Sequence, residues 1–285
     1  MFIKPKYPLA RYISHYMVIR LAKGQRTYLP ATYTPTLVIT RQGSVALCGD
    51  SATMNMLLPP AYIEGPTVHP RHSYANTDTE IVSVHFKPAM LHSLLCIPTS
   101  EFSNSCIPLI DLPAPHLAQL IEAVTCATRI NKAVNSLELQ LMNLLLSQQA
   151  QRPSKTKPLN IGGKLAYKPT REIASVTGLS VRQLERRFMA SYGVTIRDWR
   201  RLNRAANAVI SLVSTPPRSG IASVAYDSNY FDHAHMCRDF REFLGVSPQE
   251  FSCRLKADTA YWPLRMLGEL LSPNVASVQE KVSPM

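Results

Sequence analysis

The 285-residue sequence has no apolar run near the ~20 residues that a membrane-crossing helix needs, so a membrane span is excluded. Its six cysteines (48, 96, 106, 126, 237 and 253) contain no C-x-x-C pair, which leaves buried or idle thiols rather than a zinc site or a disulfide framework. Gly-rich phosphate loops, a Ser-His-Asp order and an outstanding carboxylate pair are all missing, so the familiar routes to catalysis find no residues. The first twenty residues carry Lys4, Lys6, Arg11 and two prolines but no apolar h-region, so no secretory signal is expected and the cytoplasm is the expected compartment. Acid is scarce too: 19 Asp and Glu stand against 31 Lys and Arg, a net charge of +12. That balance suits a polyanion, either nucleic acid or an anionic membrane surface.

What is present is unevenly spread. Residues 164–256 hold 15 basic and 8 acidic residues, whereas 1–150 hold 11 and 8. The basic excess sits in the second half, mostly as Arg. With 46% hydrophobic residues the chain has enough apolar mass for real cores, and its length fits two domains.

From about residue 12 to 112 the texture is β. Residues 36–40 and 44–47 flank a break at Gln42-Gly43 and read as a hairpin. Residues 80–86 alternate, with Val82, Val84 and Phe86 on one face and Ile81, Ser83 and His85 on the other. Short strands punctuated by prolines predict a small β-barrel or sandwich. From Pro115 the period becomes helical: Leu117, Leu120, Ile121 and Val124 form one stripe, and Leu137, Leu141, Leu144 and Leu145 form another. A helical hairpin with a break at 131–136 is expected, either covering the barrel or forming a dimer interface. Residues 149–158 read as a linker, which 160–163 extend.

The basic half contains a degenerate repeat. At an offset of 52, Arg186, Phe188, Gly193 and Val194 match Arg238, Phe240, Gly245 and Val246, and Trp199 matches Phe251. Upstream the offset is 51, pairing Ala174 with Ala225 and Gly178 with Asn229, so the second copy has one residue inserted between turn and helix. Each copy reads as helix-turn-helix. Residues 170–177 form a short helix ended by Gly178, and Ser180 caps the next. In the second copy Asn229 takes the turn and Asp232 the cap. This layout sets a second helix into a DNA major groove. Between the copies, residues 197–213 carry Trp199, Leu202, Ala206, Val209 and Val213 at helical spacing, a connector of ~25 Å at ~1.5 Å per residue.

The period assigns the faces. Leu184 and Phe188 face inward, leaving Arg182, Glu185 and Arg186 outside with Met189 below them. Met236 and Phe240 face inward in the second copy, leaving His233, Ala234, His235 and Arg238 at the exposed early positions. These seven are the candidate base-contacting residues, since an Arg there can be bidentate to guanine O6 and N7. Lys168, Arg171, Arg187, Arg197, Arg200, Arg201, Arg218 and Arg241 suit phosphates. Competing readings stand beside these. Arg182 and Arg186 would be plain solvated surface on an isolated helix, Glu185 either accepts from cytosine N4 or pairs with Arg182, and His235 either reads DNA or braces the turn.

Residues 164–256 resemble the DNA-binding domain of AraC/XylS-type bacterial transcription regulators. The resemblance is carried by Ile173-Ala174, Gly178-Leu179-Ser180, residues 184–188, Gly193, Arg204, Ala208, Ala225, Tyr230, Asp232, His235, residues 238–240 and above all Phe-x-x-x-x-Gly-x-Ser-Pro at 240–248. Asn229, Tyr230 and Met236 depart from the family's usual glycine and phenylalanines. Residues 64–67, 84–88 and 109–112 resemble an amino-terminal domain of some of these regulators.

The resemblance implies an α+β multidomain chain. Residues 1–150 would be a sensing or dimerising domain and 151–163 a linker. Residues 164–256 would be an all-α domain of two helix-turn-helix units joined by a helix, with 257–285 as a tail. It implies transcription regulation, most simply activation, through double-stranded promoter DNA. RNA polymerase, a small-molecule effector and a second copy of the chain are the other candidate partners. No cofactor is expected. The alternative is a cupin-like metal enzyme in the amino-terminal half, tethered to DNA by the basic half. His69, His72 and His85 would be its ligands, but His69 and His72 at i and i+3 fall on opposite faces of a strand.

Overall fold

A computed structural model describes residues 1–48, 56–112, 116–151, 159–161, 165, 167–214 and 221–271. The chain divides into two compact units that do not follow chain order. The first holds Met1–Gly24, Thr32–Thr67 and Ala75–Arg200, and the second holds Gln25–Ala31, Val68–Tyr74 and Arg201–Met285.

The first unit is organised by a sheet in the order β1 (Phe2–Ile3), β2 (Ile13–Leu21), β9 (Thr79–Phe86), β4 (Thr36–Gln42), β7 (Ala61–Glu64) and β10 (Cys106–Pro108). Its edges, β1 and β10, do not meet, so the sheet is open and the closed-barrel option falls. The expected hairpin at 36–47 does not form. β4 pairs with β9 and β7, while β5 (Val45–Leu47) pairs with β6 (Met56–Leu57). Gly43 explains the parting: at φ +82° a side chain there would be strained, and a Cβ would stand 2.4 Å from the Asp78 carbonyl oxygen. The glycine turns the chain out of the ladder instead of folding it back.

β9 is central, with β2 and β4 on its two edges, and residues on both of its faces are buried. Val82, Val84 and Phe86 enter the core with Leu37 and Ile39. On the other face His85 stacks on His15 at 4.3 Å, with Ser83 Oγ 3.1 Å from its Nε2 and Thr36 Oγ1 3.3 Å from its Nδ1. Burial first, and then the neighbouring His15, pull the His85 pKa down to about 3. The unfolded chain takes up that proton near pH ~6.5. The neutral ring therefore contributes stability in full above that pH and loses it as pH falls toward 3. The urea midpoint should drop between pH 7 and pH 5, less steeply in His85→Gln. An equally steep drop in the variant would count against this origin.

α1 (Met90–Leu95), α2 (His116–Thr125) and α3 (Ile130–Gln151) complete this core through Leu91, Leu117, Leu120, Val124, Leu137 and Leu141. The helical hairpin thus covers the sheet. Its break falls at 126–129 rather than 131–136, because Ala133 and Val134 are buried while Asn131, Lys132 and Asn135 face water, as on one face of a helix. Arg41 on β4 ties the turn down, donating to the carbonyls of Val124 (3.0 Å) and Ala127 (2.5 Å). Residues 152–158 of the expected linker lie outside the described residues. Leu159 and Ile161 are buried, and their N–H groups donate to Ser191 Oγ (2.9 Å) and the Tyr192 hydroxyl (2.8 Å). That short stretch therefore packs rather than links.

The helices α4 (Thr170–Thr177), α5 (Val181–Tyr192) and the start of α6 (Ile196–Ser214) also belong to the first unit. The second unit holds the rest of α6, α7 (Ile221–Asp227), α8 (His233–Leu244), α9 (Pro248–Ala257) and α10 (Trp262–Leu271), together with the strand pair β3 (Arg26–Leu29) and β8 (Arg71–Ala75). No helix among the described residues is long and apolar enough to cross a membrane.

Candidate nucleic-acid interface

In the first unit the helix pair forms as its local chemistry dictates. Gly178 ends α4 at φ +66°, and a Cβ there would meet nothing within 4 Å, so the glycine is present for its dihedral and not for space. Ser180 and Gln183 close a capping box over α5, each side chain bonding the other's backbone N–H (3.2 and 3.0 Å). Leu184 and Phe188 are 0% and 2% exposed. Phe188 stacks on Tyr192 at 4.0 Å and meets Trp199 edge-on at 6.1 Å. With that face buried, Arg182, Glu185, Arg186 and Met189 stand in water, and Arg187 is half-buried. Among the described residues neither Arg182 nor Arg186 forms an ion pair, and Glu185 does not hold Arg182.

The second unit repeats the motif with other residues. Asn229 takes the turn at φ +61°. Asp232 caps α8 by accepting from the His235 N–H at 2.6 Å. Met236 and Phe240 are fully buried. His233, Ala234 and Arg238 are exposed, while His235 is half-buried with its ring edge-on to Tyr230 at 5.5 Å. That geometry favours the bracing role for His235. Helix α8 ends at Gly245, φ +69°, as α5 ends at Gly193, φ +71°.

Of the expected phosphate set, Arg171, Arg197 and Arg241 are exposed. Lys168 pairs with Glu172 at 3.0 Å, and Arg200 donates to the Lys168 carbonyl. Arg218 lies outside the described residues. Arg201 has a different task. It donates to Asp239 through Nε (3.0 Å) and Nη2 (2.7 Å) and to Glu242 through Nη1 (3.0 Å), and it lies over the Phe243 ring at 4.8 Å. The clamp removes it from the phosphate set. Asp239 is fully buried, and its other oxygen lies 3.7 Å from Arg204. An acid on the inward face of α8 was legible as a demand for a cation, since it stands between Met236 and Phe240.

Two exposed aromatics were missed. Phe231 is 94% exposed and Tyr226 is 85% exposed, on either side of the second turn. Phe231 is the residue inserted relative to the first copy, and that insertion was the available signal. The histidines do not gather: His85 belongs to the stack on His15 in the first unit, and His72 lies beside Tyr28 in the second. Among the described residues no group of three His, Cys, Asp or Glu is placed to hold a metal ion.

A family model described as a helix-turn-helix domain matches residues 173–254, and a model of a domain of unknown function matches residues 1–108. A search of curated proteins found no match. Among solved structures the chain is similar to ToxT from Vibrio cholerae, at 15% identity and a TM-score of 0.44 over 84% of this chain and 97% of that one. A ToxT structure bound to an unsaturated fatty acid matches at 13% identity and 0.42, over 83% and 94%. The AraC-like transcriptional activator CuxR matches at 14% identity and 0.26, over 65% and 74%.

Proposed function

We propose that the chain is an AraC/XylS-type regulator that reads a promoter site with α5 and α8 in successive major grooves of one duplex. The observation that carries the reading is the paired architecture. Two capped helices bury equivalent apolar pairs, Leu184/Phe188 and Met236/Phe240, and leave Arg186 and Arg238 exposed at equivalent places. Helix α6, 19 residues long, spans ~28 Å, of the order of the ~34 Å between successive grooves. Arg182, Arg186, Ala234, His233 and Arg238 would meet base edges, with Glu185 accepting from cytosine N4. Lys168, Arg171, Arg187, Arg197, Arg200, Arg218 and Arg241 would meet phosphates. The amino-terminal region would sense an effector or pair two copies, and so set when the promoter is occupied.

The test is base-resolved. Arg186→Ala should cost ~1–3 kcal/mol on the selected site and relax preference at one base pair. A loss of equal size on every sequence, measured by competition at fixed salt, would make Arg186 a phosphate contact. A wild-type protein that selects no sequence would make the chain a general nucleic-acid binder.

A further inference from the structure

Residues 258–271 lie beyond the helix-turn-helix match, which ends at residue 254. They nevertheless bury Ala260, Tyr261, Leu264 and Gly268. Tyr261 is fully buried and stacks on Tyr28 of β3 at 4.2 Å and 5°. On its other side it meets Phe251 of α9 edge-on at 5.7 Å, and Phe251 meets Phe240 of α8 at 5.9 Å and 90°. Four rings thus run unbroken from an amino-terminal strand, through the tail, to the inward face of the second recognition helix. The Tyr28 hydroxyl closes the circuit, donating to the Leu244 carbonyl at the end of α8 at 2.8 Å.

The tail is also pinned by polar and steric contacts. Arg265 Nη1 donates to the carbonyls of Leu255 and Asp258, both at 2.8 Å, satisfying acceptors left open at the end of α9. Trp262 Nε1 donates to Thr27 Oγ1 at 3.1 Å. Gly268 runs so close to α6 that a Cβ would stand 2.4 Å from the Val213 carbonyl oxygen. A loosely appended helix would not need a glycine at that crossing.

We infer that the tail, through Tyr261 and Gly268, is a positioning element for α8 and so helps to determine which bases the second helix-turn-helix prefers. The inference rests on the proposed DNA reading. The carbonyl end of α8 and its buried face are both held by this aromatic run, so shifting the run re-aims the helix. A small re-aiming matters because base readout is a matter of ångströms.

The full-length protein selects its site from random duplex, and the half read by α8 is identified as the half whose scrambling no longer matters to Arg238→Ala. Base preference is then profiled across both halves for Tyr261→Leu, Tyr261→Phe and Gly268→Val. Tyr261→Leu and Gly268→Val should lose ~10-fold or more of their discrimination in the α8 half and change its order of preferred bases. They should leave the other half unchanged, and Tyr261→Phe, which keeps the stack, should match wild type. A second unit that was merely less stable would bind less well with the same order of bases, and that result overturns the inference, as does an equal loss in both halves or no loss. Gly268→Val keeps all four aromatic side chains but pushes the tail off α6, and it decides the matter if Tyr261→Leu does not fold. If wild type selects no sequence at all, the underlying DNA reading fails instead.

Discussion

Asp239→Ala should destabilise the second unit by ~3 kcal/mol or more, in the range found when one partner of a buried ion pair is removed. The carboxylate is fully buried and takes two charge-assisted hydrogen bonds from Arg201, with Arg204 3.7 Å from its far oxygen. Taking it away leaves cations in a poorly solvated setting without a counter-charge. Glu242 still holds one side of Arg201, which keeps the expected loss toward the lower part of the ~3–5 kcal/mol range. Glu242 is itself exposed, so Glu242→Ala should cost under ~1 kcal/mol. Asp239 lies on α8, so under the proposed DNA reading the lesion should also weaken binding at the half-site assigned to that helix. Urea unfolding of the two variants is the check. A loss under ~1 kcal/mol for Asp239→Ala would mean that the pair is not an internal strut.

Raising salt from ~50 to ~200 mM should weaken DNA binding by ~10²–10³-fold. Four to six phosphate contacts are expected once Arg201 is excluded and Lys168 and Arg200 are counted as partly engaged. At a slope of about −0.9 per phosphate, log affinity should fall with a slope between about −3.6 and −5.4 against log salt. Arg197→Ala and Arg241→Ala, both at exposed positions, should each flatten that slope by ~1 while leaving base preference alone. A slope near zero would show that the basic excess of the second half does not face a polyanion.

The helical half was the more legible part, for a physical reason. Its signals are local: a glycine that must turn left-handed, a Ser or Asp that must cap, and apolar residues at i and i+4. Gly178, Ser180, Asn229 and Asp232 each do what their chemistry dictates. The sheet was less legible because its pairing is not local. The alternation of β9 assigned its two faces, but nothing local said that β2 and β4 would pair with its two edges. Residues 36–47 looked like a hairpin because the break at Gly43 resembles a turn, yet whether such a break folds the strand back or sends it elsewhere depends on partners far along the chain. The same holds for Tyr28 and Pro70. Nothing near them in sequence says that they pack with α8 and Gly245 in the second unit. The tail was unreadable for this reason: the ring that gives Tyr261 its role lies 233 positions away. Arg201 was misassigned because charge counts treat every Arg as solvated, whereas its fate was set by Asp239 on a facing helix.

The central claim is that two recognition helices read one duplex at a fixed separation. The direct measurement is affinity for the selected site after ~5 bp, half a turn, is inserted between its two blocks, compared with ~10 bp, a full turn. The selected site should show two short blocks centred about one helical turn apart, with Arg186→Ala insensitive to scrambling one block and Arg238→Ala insensitive to scrambling the other. The half-turn insertion should reduce affinity to that of a single block, because it moves the second groove to the opposite side of the duplex. A single block, or affinity indifferent to the half-turn insertion, would contradict the account.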